Sequence, residues 1–209
     1  MTVRFCDETS FGFGWIAPEP AFMRRCSHAV AAGGRAWVID PVAGDGVIER
    51  IRGLGDPGGV VQLLDVHARD SVAVARELGV PHHRVPFGGV AGAPFEVVPV
   101  RRIRPWREVA LWFPEHRTLV CGDALGTAQY FRAPDERLAV HPILRVWPPR
   151  MLGRFEPEHV LVGHGEGVHG PEAATALREA LSGARRRTPS WLAAGVRAHG
   201  PWAHRRRRN

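Results

Sequence analysis

Val109-Ala110-Leu111-Trp112-Phe113, then Pro114-Glu115-His116-Arg117, then Thr118-Leu119-Val120-Cys121, then Gly122-Asp123: the reading of this stretch decides the fold. Two apolar runs flank a polar turn, the pattern of a β-hairpin. Its second arm ends in a thiol at Cys121, which the apolar run marks as a buried structural group rather than a nucleophile. Directly after it, Gly122-Asp123 delivers a carboxylate. Two other apolar runs end the same way. Val60-Val61-Gln62-Leu63-Leu64 leads into Asp65-Val66-His67-Ala68-Arg69-Asp70, and Val160-Leu161-Val162 opens into Gly163-His164-Gly165. Side chains at strand ends in α/β proteins converge on a shared crevice. Carboxylates and imidazoles together are ligands for zinc, iron or manganese. Taken singly, each has a plainer role; Asp70, for instance, would N-cap a helix starting at Ser71.

Working outward, His28 to Ala32 and Ala36 to Asp40 form a second hairpin about Gly33-Gly34, and Pro41 ends it. Short helices are expected over 46–53 and over 70–78, the latter stopped by Gly79. Strands are expected near 84–87 and 95–102, and a helix over 171–182 with Pro171 in its first turn. Residues 126–150 are proline-rich without a clean period. They read as a long surface connection, and as the place for a substrate lid. Gly12-Phe13-Gly14 lacks a third glycine and a preceding strand, so it carries no dinucleotide site. His82-His83 reads as a turn, His116 and His169 as exposed loop residues, and His28, His141 and His159 have no motif around them. Strands in hairpins with helices between the groups predict two mixed sheets covered by helices.

The chain has 209 residues, 44% of them hydrophobic, which suits a single domain over 1–183 followed by an Arg-rich tail over 184–209, helical or disordered. No run of about 18 apolar residues exists, so no membrane span is expected. Acids at Asp7 and Glu8 do not suit a signal peptide, and the expected location is cytoplasmic. All 28 basic residues are arginine. Without lysine there is no Walker A loop and no Schiff-base chemistry. The tail holds eight arginines and no acid; taking 8 from the net +7 leaves the other 183 residues at −1. Nucleic-acid binding is therefore expected of the tail only, if at all, and a solvated terminus is the plainer reading. Cys6, Cys26 and Cys121 share no short spacing and read as reduced thiols.

The order of these motifs resembles the metallo-β-lactamase-fold hydrolases. Asp65 to Asp70 is similar to their H-x-H-x-D-H motif, residues 111–123 to the hairpin ending in the metal-bridging aspartate, and Val162 to Gly165 to the last motif. Ala36 to Asp40 looks like their early strand ending in aspartate. The resemblance implies an αββα four-layer sandwich over about residues 28–182. It also implies metal ligands among Asp65, His67, Asp70, Asp123 and His164, with Asp123 and Asp70 as catalytic carboxylates. This chain departs from the pattern at Asp65, Arg69 and Asp70 and has no histidine near Arg102 to Trp106, so four of the family's seven ligand positions are altered. His67, Asp123 and His164 remain. Asp65, Asp70 and Asp123 brought together would need a balancing cation. One metal could take Asp65, His67 and Asp123, or Asp70, Asp123 and His164. Alternatively Arg69 could fill the site and pair with Asp123, leaving no metal and an anion-binding pocket. The first reading implies water-mediated hydrolysis of an ester, thioester or phosphoester with at most one zinc, iron or manganese ion. The second implies a catalytically inactive binding protein. In both, the partner is a small-molecule substrate or ligand.

Overall fold

The computed structural model describes residues 1–18, 23–104 and 106–199, with side chains of the last helix described through residue 194. The chain forms β1 (Arg4–Thr9), β2 (Gly12–Ile16), β3 (Cys26–Ala32), β4 (Arg35–Ile39), α1 (Val47–Leu54), β5 (Pro57–Gln62), α2 (Ser71–Leu78) and β6 (His82–Arg84). The second half follows with β7 (Glu96–Ile103), β8 (Trp106–Phe113), β9 (Thr118–Cys121), β10 (Leu125–Gly126), β11 (Ala139–Val140), β12 (His159–Val162), β13 (Val168–His169), α3 (Ala173–Gly183) and α4 (Thr188–His199). One six-stranded sheet runs β1-β2-β3-β4-β5-β6, and a five-stranded sheet runs β13-β12-β9-β8-β7.

Alternation along the strands builds the layers. In the first sheet Trp37, Ile39, Val61 and Leu63 face the second sheet, where Val109, Leu111, Phe113 and Val120 meet them. Val38 and Val60 point the other way, onto Val47, Ile51 and Val74 of α1 and α2. In the second sheet Ala110, Leu119, Val160 and Val162 face Ala173, Ala176, Leu177 and Ala180 of α3. The architecture is thus helix, sheet, sheet, helix: the αββα sandwich. β4 pairs parallel with β5, and β9 with β12, so each sheet presents adjacent strand ends at one edge. Asp40, His67, Asp123 and His164 follow those ends.

Three expectations change. Gly12 and Gly14 lie inside β2, in an N-terminal hairpin with β1. His82 and His83 are in β6, paired with β5, rather than in a turn. The segment 126–150 is not a surface connection. Its β10 pairs with β11, and Phe131, Leu138 and Leu144 are buried. The cause is a fully buried ion pair: Arg145 Nη2 donates to Glu136 Oε2 at 2.5 Å and to the Phe131 carbonyl at 2.7 Å. A contact nine residues apart leaves no periodic trace in the sequence.

Residues after Gly183 pack back onto this segment. Arg185 Nε donates to the Val146 carbonyl, and Trp191 Nε1 to the Tyr130 carbonyl. The final arginines, Arg205 to Arg208, lie outside the described residues. No helix among the described residues is long and apolar enough to cross a membrane.

Removing one partner of a buried ion pair strands the other charge. Glu136→Gln is expected to cost about 3–5 kcal/mol; urea denaturation of the purified variant measures it, and a cost within error of zero would contradict the role assigned to this pair.

Candidate metal centre

His67 leaves the turn after β5, Asp123 follows β9 and His164 follows β12; their ligand atoms all lie within 4.8 Å of one another. His67 Nε2 is 3.1 Å and His164 Nε2 is 3.0 Å from the same oxygen, Asp123 Oδ1. All three side chains are buried.

The other ring nitrogens settle the tautomers. His67 Nδ1 is 3.0 Å from Asp40 Oδ2 and His164 Nδ1 is 2.7 Å from the Met23 carbonyl. Each of those partners only accepts, so each Nδ1 carries a proton, and in the neutral ring each Nε2 turns a lone pair toward Asp123. Asp123 Oδ1, buried, accepts no aligned hydrogen bond. Three electron-rich atoms thus face a common point. Ligand bonds of about 2.0–2.2 Å in a tetrahedral site place donor atoms about 3.3 Å apart, close to the separations seen. A carboxylate behind one histidine and a backbone carbonyl behind the other are the usual outer supports of metal-bound imidazoles. The residues present fit a divalent cation.

The electrostatics say the same. Burial and the Arg69 guanidinium oppose a charged His67 ring, yet the Asp123 and Asp40 carboxylates outweigh them and raise it to about 9. Against its own burial, Asp123 is held well below the usual carboxylate range by His164 and His67. A positive charge is demanded at this point, and a proton on His67 or a metal ion supplies it.

Two expected members stand elsewhere. Asp65 Oδ1 accepts from the Arg107 amide at 3.1 Å, and Asp70 Oδ2 accepts from the Ala43 amide at 2.8 Å. Backbone amides have taken both carboxylates, so neither belongs to the three-residue cluster. Asp70 sits at the N-cap of α2 without a side-chain cap bond. Arg69 also differs from expectation. Its guanidinium does not hydrogen-bond Asp123. It donates to the carbonyls of Cys26 (2.5 Å), Asp40 (2.8 Å) and Gly163 (3.0 Å), tying the ends of three strands together.

The fold brings here two acids outside the expected ligand set, Asp40, matched only as the end of the early strand, and Glu108. Asp40, in the left-handed region at φ 45°, bonds His67 through one oxygen and the Leu63 amide through the other. Its place at a strand end, like that of Asp123, was the available signal. Glu108 is fully buried on the same face of β8 as Ala110, accepting from Trp106 Nε1 and the Ala124 amide, both at 2.8 Å. A charged residue on a strand face that otherwise buries apolar groups marks it out.

The fold has clear relatives among solved structures. A metallo-beta-lactamase from Pontibacter korlensis is similar over 87% of this chain and 99% of its own, with a TM-score of 0.59 at 12% identity. The mono-zinc form of FIM-1 from Pseudomonas aeruginosa matches over 88% of this chain and 97% of its own, at TM-score 0.57 and 13% identity. TMB-1 matches over 87% and 98%, at TM-score 0.56 and 13% identity. No family model and no curated protein sequence matches the chain. The chain has the metallo-β-lactamase fold.

Burial, then the negative charge of Asp123, push Glu108 up from 4.5 to about 7. The folded state therefore holds this proton where the unfolded chain releases it. The resulting stabilisation is complete below about pH 4.5 and is lost as the pH rises through about 7, a swing on the order of 3 kcal/mol. In chelator-treated Glu108→Gln protein that part of the pH–stability slope should vanish; denaturation midpoints across pH 4.5–7.5 that keep the wild-type slope would refute it.

Proposed function

We propose that this protein is a metal-dependent hydrolase with a single-ion centre built from His67, Asp123 and His164. One observation carries the reading: two imidazole lone pairs and the unbonded oxygen Asp123 Oδ1 meet at 3.0–3.1 Å in a buried site. Two imidazoles and one carboxylate suit zinc, and equally iron(II). Similarity to metallo-beta-lactamases, one of them a mono-zinc form, supports the class. A divalent cation held here supplies Lewis acidity toward a carbonyl or phosphoryl oxygen.

The chain's own residues do the rest. Asp40 fixes the His67 tautomer and the Met23 carbonyl fixes that of His164, so both present Nε2 inward. Asp123 brings the one anionic donor. Arg69 stands where the family resemblance puts a metal-ligating aspartate. An arginine donates but never ligates, which limits the centre to one ion. The substrate class is a small ester, thioester or phosphoester.

The reading in which Arg69 replaces the metal by pairing with Asp123 is not favoured, because its guanidinium donates to three backbone carbonyls and makes no hydrogen bond to Asp123.

Protein purified without chelator should lose about one equivalent of zinc, iron or manganese in His67→Ala and in His164→Ala. Hydrolysis of a nitrophenyl ester, a thioester or a nitrophenyl phosphodiester should be absent in both variants, and in the wild type should vanish on chelation and return on adding metal. Equal metal content in wild type and variants would end this proposal. Asp40→Asn, which keeps shape but loses the second carboxylate oxygen behind His67, should lower metal affinity about 10–100-fold by competition with a chromogenic chelator.

A further inference from the structure

A second donor cluster lies on the N-terminal side of the first sheet. Cys6, Gly14 and His28 are neighbours in one row across β1, β2 and β3, since Cys6 pairs with Gly14 and Gly14 with His28. Cys26 is two residues before His28, on the same face of β3. Asp7 sits where the β1–β2 register shifts, at φ 51°. Such an irregularity re-aims a side chain, and here it turns the Asp7 carboxylate in beside the two thiols.

The distances are those of a ligand shell. Cys6 Sγ and Cys26 Sγ are 3.7 Å apart. Asp7 Oδ2 is 3.7 Å from Cys6 Sγ, 4.0 Å from Cys26 Sγ and 3.9 Å from His28 Nδ1. Zinc–sulfur bonds of about 2.3 Å set tetrahedral sulfurs about 3.8 Å apart, and mixed donor pairs about 3.3–3.5 Å apart. The thiols already stand at that spacing and the Asp7 carboxylate needs to close in by a few tenths of an ångström; His28 Nδ1, 3.9 Å from Asp7 Oδ2, stands at the edge of this three-residue cluster.

Three further observations show that these groups are prepared for a ligand. His28 Nδ1 is buried and has no hydrogen-bond partner, while its Nε2 lies 2.9 Å from the Val162 carbonyl and donates to it. The unpaired Nδ1 therefore carries a lone pair. Asp7 Oδ1 is fully engaged, by the Gly167 amide and by His169 Nε2, both at 2.9 Å, which leaves Oδ2 for the thiols. The absent side chain of Gly14 leaves the common space: a β-carbon there would stand 3.0 Å from both Asp7 Oδ2 and His28 Nδ1 and 3.2 Å from Cys6 Sγ.

We propose that Cys6, Asp7, Cys26 and His28 form a second metal site, distinct from the His67 cluster and selective for zinc. Two thiolates favour zinc over hard cations such as magnesium, and His28 turning in on binding completes the four protein donors of a closed, structural site. Binding releases the two thiol protons to solvent. The ion would join β1 to β3 and, through Asp7, hold the turn that follows β12. This site does not depend on the hydrolase reading, and its test separates the two.

Cobalt(II) titration under reducing conditions reports thiolate ligation directly, as an intense near-ultraviolet charge-transfer band. The band should saturate at about one equivalent, persist in the His67→Ala/His164→Ala protein, disappear on adding zinc, and be missing in Cys6→Ala/Cys26→Ala. Cys121→Ala should keep it. Gly14→Ala alters no ligand but fills the space, and should weaken zinc binding at least about tenfold. Three results would overturn the proposal: no thiolate band in wild-type protein whose thiols titrate as free, a band that survives loss of both Cys6 and Cys26, or a Cys6–Cys26 disulfide in metal-free protein purified without reductant.

Discussion

Lone pairs cannot be buried facing one another unless something positive lies between them. At Asp123 Oδ1 two imidazole nitrogens approach within 3.1 Å, their protons turned outward to Asp40 and to the Met23 carbonyl. Desolvation makes the mutual repulsion strong, since little water remains to screen it. The sandwich holds the three groups in place regardless, because each follows a strand locked in a parallel pair or its crossover. β9 and β12 are in register from Thr118 opposite His159 to Cys121 opposite Val162, so Asp123 and His164 must emerge side by side. The layers thus hold the three groups at a spacing that requires a positive charge between them, a proton on His67 or a metal ion.

Arg69 ties the strand ends around the cluster together. Its guanidinium reaches Cys26, Asp40 and Gly163, one carbonyl from the start of β3 and one from just beyond each of β4 and β12. Those segments belong to both sheets. Hydrogen bonds from a charged donor contribute about 1.5–3 kcal/mol each, and here three of them meet at one guanidinium between the two sheets. The positive charge beside Asp40 and Asp123 also disfavours a further cation close by.

The sequence revealed the fold where the pattern is local. The hairpin over 109–121, the helices after Gly46 and Asp70, and the helix after Pro171 show their own periodicity and punctuation. His67, Asp123 and His164 were legible because each directly follows an apolar strand. Direction was not legible. Asp65 and Asp70 flank His67 in the chain, but the turn sends their carboxylates to the amides of Arg107 and Ala43. Strand β2 was hidden because Gly12-Phe13-Gly14 has poor strand propensity and is held by its neighbours instead. The row joining Cys6, Gly14 and His28 exists only once three strands have paired, and spacing along the chain says nothing of it.

The two donor clusters are mechanically linked. The turn from Gly163 to His169 carries His164 at one end, and at the other Gly167 and His169, both bonded to Asp7. Cys26 touches both sides: its amide donates to the Gly163 carbonyl, its carbonyl accepts from Arg69, and its sulfur belongs to the N-terminal cluster. A shift of β1 relative to β3 would therefore move Asp7, with it the turn, and with the turn the imidazole that faces Asp123. A strained aspartate at φ 51° makes sense in that position. The N-terminal hairpin adds a second hold on the turn that carries His164, beside the β9–β12 pairing. The precision of the buried His67–Asp123–His164 cluster thus depends on residues at the opposite end of the chain.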